Sequence, residues 1–187
     1  MRMPRFCPHG GPARHRDTHA AIRGLRSGGR KCSSSGMDLK DLLVHLDSGP
    51  RAAERLALAI AIARRHGARL TGLFAESTTL GASLVGRRTP ENVARAAAEA
   101  RARLEAACAP AGVAARFWAV EGSEDGEVID GAVVCARRVD LAVLGQQRGD
   151  DAPVPEGLVE RVIAGSGRPV LVVPSIGRYP DAGRFPR

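Results

Sequence analysis

The chain has 187 residues, enough for one domain, with 3% aromatic residues and a formal net charge of +8. Almost all of that charge lies in residues 1–36, where eight cations from Arg2 to Lys31 face Asp17 alone, leaving 20 basic against 19 acidic residues in the remainder. The total therefore implies no basic face for a nucleic-acid backbone, the scarcity of aromatics argues against base-stacking platforms, and no apolar run approaches the ~20 residues of a membrane span.

Residues 1–36 are rich in Arg, Gly, Pro, Ser and His and show no apolar periodicity. They lack a signal peptide's apolar core, and Pro4, Pro8 and Pro12 oppose the amphipathic helix of a transit peptide. The expectation is a disordered basic leader, an upstream extension of a reading frame that starts at Met37. The stretch 175–187 has the same Gly, Pro and Arg character and is expected to be a disordered tail. The domain is 37–174.

Leu39 to Asp47 carries Leu42, Leu43, Val44 and Leu46 and predicts a first strand, broken by Asp47-Ser-Gly-Pro50. Pro50 suits a first helical turn, where its missing N–H costs nothing. Ala53, Leu56, Ile60 and Ala63 recur at helical spacing, and Gly67 is a natural stop. Ala68 to Ala75 predicts a second strand, and the mixed polarity of 76–88 a loop. Thr89-Pro90 opens a long helix as cap and first position, with Val93, Ala97, Leu104 and Ala107 inward. Its charged residues Arg95, Glu99, Arg101, Arg103 and Glu105 predict a solvated face. Val113 to Val120 is a third strand, and Ser123 can cap a helix carrying Val128, Ile129, Ala132, Val133, Cys135 and Ala136.

The stretch 139–174 is the most informative. Asp140 to Gly145 is an apolar strand ending at a glycine. Residues 146–155 form a polar loop, and 156–164 predict a helix with Leu158, Val159, Val162 and Ile163 on one side. Arg168 to Pro174 is a strand without polar alternation. Strands buried on both faces and joined through helices imply a parallel sheet with right-handed crossovers. Ligands in such sheets sit at the C-terminal strand ends, here at Gly145. The four cysteines, Cys7, Cys32, Cys108 and Cys135, form no CxxC pair and no zinc spacing, so the expectation is free thiols in a reducing compartment, the cytoplasm, and no metal site.

These segments, in order, resemble the universal stress protein family over 37–174. The resemblance rests on Leu43-Val-His-Leu-Asp47-Ser-Gly, Glu121-Gly122, Val128-Ile129, Asp140-Leu-Ala-Val-Leu-Gly145 and Arg168-Pro-Val-Leu-Val-Val-Pro174. It implies an open five-stranded α/β sheet of order 3-2-1-4-5 with helices on both faces, the Rossmann-like fold of the adenine-nucleotide α-hydrolase-like group. It further implies that Asp47 and the main chain at Ala75 meet the adenosine half of a nucleotide. The family's ATP-binding loop carries glycine, two residues, glycine, nine residues, then Gly-Ser or Gly-Thr. Gly145 matches the first glycine and Arg148 stands at the second. The Gly-Ser/Thr pair falls on Leu158-Val159, or on Glu156-Gly157 if the following helix sets the alignment, so the hydroxyl is absent either way. A Cβ at position 148 crowds a phosphate path, and Glu156, Asp150 and Asp151 repel phosphate. Arg148 offsets part of that loss, so ATP or another adenine nucleotide is expected to bind weakly or not at all.

The pattern also resembles a subgroup with two such domains in tandem, so this chain reads as the first domain with the second lost by truncation. His45, alone among Leu and Val, reads as a satisfied core histidine. A phospho-acceptor site built on Asp47 and Asp140 lacks the central Asp and the late Lys it needs, and no Gly-Lys-Ser/Thr follows Gly145 to make a Walker loop. The expected protein is a cytoplasmic stress-response binding and signalling module with no catalytic residues, a homodimer through its last strand. The alternative is a nucleotide-dependent enzyme of the adenine-nucleotide α-hydrolase-like group.

Overall fold

The structure, a computed structural model, describes residues 39–78, 89–120, 122, 124–147 and 154–179. In chain order these form β1 (Asp41–Leu46), α1 (Ala52–His66), β2 (Arg69–Phe74), α2 (Pro90–Ala111), β3 (Ala115–Ala119), α3 (Asp125–Ala136), β4 (Leu141–Gly145), α4 (Leu158–Ser166) and β5 (Val170–Val173). The strands make one sheet of order β3-β2-β1-β4-β5, and every neighbouring pair is parallel. This is the topology that the sequence implies.

The sheet is buried on both faces because β1, its centre, has no polar alternation. Leu42, Leu43 and Val44 are all fully buried. Leu42, Val44 and Leu46 face a core shared with Leu56, Ile62, Ala100 and Leu104 of α1 and α2. Leu43 faces the opposite core, with Val128, Ala132, Leu158 and Val162 of α3 and α4. Burial of each large aliphatic side chain is worth ~1.5–3 kcal/mol, so these two layers supply most of what holds the sheet flat between its helices.

Helix signals at the termini hold. Gly67 takes φ 62° after α1, a left-handed turn that a side chain would strain, and Thr89 Oγ1 accepts from Asn92 N at 3.3 Å at the start of α2. The buried faces differ from expectation in three helices. In α1 the inner face is Ala52, Arg55, Leu56, Ala59, Ile62 and Ala63, while Ala53 is exposed and Ile60 only half-buried. In α2 it centres on Ala100, Leu104 and Cys108, with Val93, Ala97 and Ala107 at its margin. In α4 Ile163 is 50% exposed and Ser166 is buried instead. Each of these stretches is dense in Ala, Leu or Ile, so several helical phases bury similar apolar area and the polar contacts choose among them.

Residues 175–179, assigned from sequence to the tail, carry contacts of their own. Tyr179 packs against the α1/α2 core and its hydroxyl donates to Ile176 O at 2.6 Å, and Arg51 Nη2 donates to Gly177 O. Cys108 and Cys135 are free and buried. Among the described residues no helix is long and apolar enough to cross a membrane. The leader 1–36, the Ser123 cap and Arg148 lie outside the described residues.

Candidate functional site at the β1–β4 crevice

Chain connections leave β1 and β4 in opposite directions, which opens a crevice at their C-terminal ends. A cavity of about 440 Å³ lies there. One wall is charged: His45 and Asp47 from the end of β1, and Arg51, Glu54 and Arg55 from the start of α1. The other is apolar, formed by Pro50, Val154, Val159, Val173 and Pro174. Gly145 closes the inner end.

Arg55 organises the charged wall. Its side chain leaves the inner face of α1 and is 4% exposed. Nε donates to the His45 carbonyl at 2.6 Å, and Nη2 donates to Asp47 Oδ2 at 2.5 Å. Asp47 Oδ1 in turn accepts from Gly49 N at 2.9 Å, turning the chain out of β1. From the other side Arg103 of α2, placed by its sequence on a solvated face, donates from Nη2 to the Asp47 carbonyl at 3.2 Å. Burial by itself pushes the Asp47 carboxyl up and is the largest single effect. Arg55, His45 and the Gly49 N–H together outweigh it, so the group stays below its ordinary range and ionised.

Gly145 belongs to this arrangement. A Cβ there would lie 2.1 Å from Arg55 Nη1, so the guanidinium rests on the bare backbone of β4. The absence of a side chain at Gly145 is required by a residue of this chain. Arg55 carries no sequence motif, and an arginine on a predicted helix reads as surface. The one available signal was its position one residue before Leu56, on the apolar side of α1.

His45 is 3% exposed and lies 3.3 Å, through Nε2, from the Ala75 carbonyl. A carbonyl only accepts, so Nε2 carries the proton and the imidazole is neutral. Nδ1 then faces Asp47 Oδ2 at 3.7 Å without a proton to share. Burial lowers the His45 pKa to about 4; Asp47 opposes that shift and Arg55 reinforces it. The satisfied core histidine expected from sequence is what the structure holds.

Glu76, just past β2, was missed. It is 1% exposed and accepts from Ser48 N at 2.5 Å and from Ser48 Oγ at 3.1 Å, tying the β1 exit to the β2 exit. Beside it Ser77 Oγ donates to Asp125 Oδ1 at 2.5 Å, at the first turn of α3. In sequence Glu76 is one acid at the start of a polar loop, with nothing to mark it as buried.

Of the residues singled out from sequence, Asp47 and Gly145 meet in the cavity. Ala75 is fully buried, its carbonyl is held by His45, and it does not line the cavity. Gly157 stands at the start of α4 with φ 78°, a left-handed conformation suited to glycine, and also lies off the cavity wall. Arg148 lies outside the described residues. Among the described residues no group of three or more His, Cys, Asp or Glu side chains could hold a metal ion.

No protein-family model matches the sequence, and no curated protein sequence matches it. Solved structures do match the fold. A universal stress protein family member from Burkholderia pseudomallei is 23% identical over 75% of this chain and 99% of that one, with a TM-score of 0.53. The universal stress protein UspA from Lactobacillus plantarum is 22% identical over 72% and 97%, with a TM-score of 0.51. The universal stress protein from Archaeoglobus fulgidus, solved in complex with dAMP, is 19% identical over 73% and 98%, with a TM-score of 0.50. At these identities the likeness establishes the fold: a five-stranded parallel Rossmann-like α/β sheet of order 3-2-1-4-5, shared with universal stress proteins.

The buried neutral histidine makes stability depend on pH. Its folded pKa of about 4 lies below the unfolded 6.5, so on acidification the unfolded chain takes the proton first. The His45 contribution is complete above pH 6.5 and is lost as the pH falls towards 4, amounting to about 3 kcal/mol. The Asp47 contribution is lost only at lower pH, as its own depressed pKa is crossed. Denaturant unfolding across this range should show that slope, and His45→Gln should flatten it. A wild-type stability constant between pH 6.5 and 4, or a slope that survives in His45→Gln, would contradict the assignment.

Proposed function

We propose that this protein is a universal stress protein of the cytoplasm, a ligand-binding and signalling module rather than an enzyme. Its cavity is of the adenine-nucleotide type, with a degenerate phosphate loop. The observation that carries this reading is the cavity at the β1–β4 crevice with Asp47 at its mouth and Gly145 at its floor. The same fold holds dAMP in the Archaeoglobus fulgidus protein. The degeneracy is supported by three features. Arg55 covers Gly145, where a phosphate-gripping loop needs bare backbone. The start of α4 carries the carboxylates of Glu156 and Glu160, which suit the helix dipole and repel phosphate. Arg148 replaces the second glycine in the sequence. The enzyme alternative finds no support at His45, whose proton is committed to the Ala75 carbonyl.

A second copy of the chain is the proposed partner. β5 pairs with β4 alone among the described strands, and Val170, Leu171 and Val172 are only half-buried. Such an edge is a template for pairing, and Pro169 and Pro174 restrict it to a short segment, which favours a closed pair over a fibre. Ile176, just beyond, is 75% exposed.

Calorimetric titration should give an ATP dissociation constant near millimolar or weaker, since each lost hydrogen bond to a charged group is worth roughly 1.5–3 kcal/mol. A low-micromolar constant would overturn the degenerate-loop reading. Light scattering behind size exclusion should give a dimer at tens of micromolar, and Val172→Lys should shift it to monomer. A monomeric wild type, or an unaltered dimer in the variant, would count against the interface.

A further inference from the structure

We infer that the cavity selects an uncharged nucleoside over its phosphorylated forms, with Arg55 Nη1 as the hydrogen-bond donor that holds it. The inference rests on the adenine-nucleotide reading of the cavity and names its ligand class. Two of the three guanidinium nitrogens of Arg55 are spent, Nε on the His45 carbonyl and Nη2 on Asp47. Nη1 has no hydrogen-bond partner among the described residues and lies between Gly145 and the cavity. A buried arginine with one unfilled donor edge is an incomplete polar group, and a ligand acceptor atom completes it.

Charge decides which acceptor. The described lining carries Arg51 and Arg55 against Asp47 and Glu54, and His45 is neutral, so its net charge is zero. Each cation is already paired: Arg51 Nη1 contacts Glu54 Oε2, and Arg55 holds Asp47. In the sequence, the segment between Gln147 and Val154 adds Arg148 against Asp150 and Asp151. A phosphate brought to Nη1 would share one guanidinium with the Asp47 carboxylate, setting like charges side by side in a site with little water. A neutral ring nitrogen, carbonyl or hydroxyl meets the same N–H without that repulsion. The opposite wall, Pro50, Val154, Val159, Val173 and Pro174, offers apolar contact to a flat base. A site built to grip phosphate would show the reverse balance, with surplus cations and open backbone N–H groups.

The test is calorimetric titration of the full chain with adenosine, AMP and ATP in one buffer. Adenosine should bind tightest and ATP weakest, the two differing by at least about tenfold. AMP tighter than adenosine, with ATP still weak, would overturn this inference and leave the proposed function standing. No binding of any of the three would overturn both. Glu54→Gln supplies an independent check, because that side chain is 40% exposed and its loss makes the lining positive. The variant should shift the AMP-to-adenosine preference several-fold towards AMP. An unchanged ratio would mean that charge balance does not set the selectivity.

Discussion

The ion pair between Asp47 and Arg55 is the interaction on which this site depends. It joins the exit of the central strand to the first turns of α1, and through Gly145 it fixes how closely α1 approaches β4. Three residues far apart in sequence thus form one unit: an acid that ends β1, a cation inside α1 and a missing side chain on β4. Burying such a pair yields little net stability against an apolar alternative. Removing one partner is another matter, since it leaves a buried charge and costs about 3–5 kcal/mol. The pair is best understood as a device that sets geometry and excludes competitors from the crevice.

That view also explains the environment of His45. The imidazole is neutral because burial forbids the charged form and because Arg55, 2.6 Å from the His45 carbonyl, adds to the cost. Its proton locks the end of β2 to β1 through Ala75, while Glu76 and Ser48 lock the same two strand ends one step further out. The adenosine contacts expected of Asp47 and Ala75 are therefore both engaged within the protein itself. A crevice so filled with its own polar partners has one donor edge left, at Arg55 Nη1, and almost no net charge. Chemistry of that kind suits recognition of a neutral polar ligand better than the gripping of phosphates.

The fold was legible because it is written in strong, redundant signals. Five apolar strands without alternation, glycine stops such as Gly67, and the Thr89-Pro90 start leave one parallel topology. Helix faces were less legible. The run from Ala52 to Ala63 buries similar area in several phases, and it is Arg55, by finding Asp47, that fixes the rotation. The same holds at Ile163, which periodicity places inside and the structure leaves half-exposed. The site was half legible: Asp47 and Gly145 stood at the right strand ends, whereas Arg55 and Glu76 could not be seen. A charged residue is ordinarily a surface residue, and only the three-dimensional meeting of Arg55 with Asp47, and of Glu76 with Ser48, makes their burial tolerable. Gly145 illustrates the limit most clearly. Its position was right, but the backbone it leaves bare faces an arginine from α1.

A double-mutant cycle between Asp47 and Arg55 tests this account most directly. Denaturant unfolding would be measured at neutral pH for the wild type, Asp47→Asn, Arg55→Met and the double variant. Each single change should cost about 3 kcal/mol or more, and the double variant far less than their sum, giving a coupling of at least about 2 kcal/mol. Additive losses, with a coupling near zero, would mean that the two residues act independently and that the crevice is not organised by their pair.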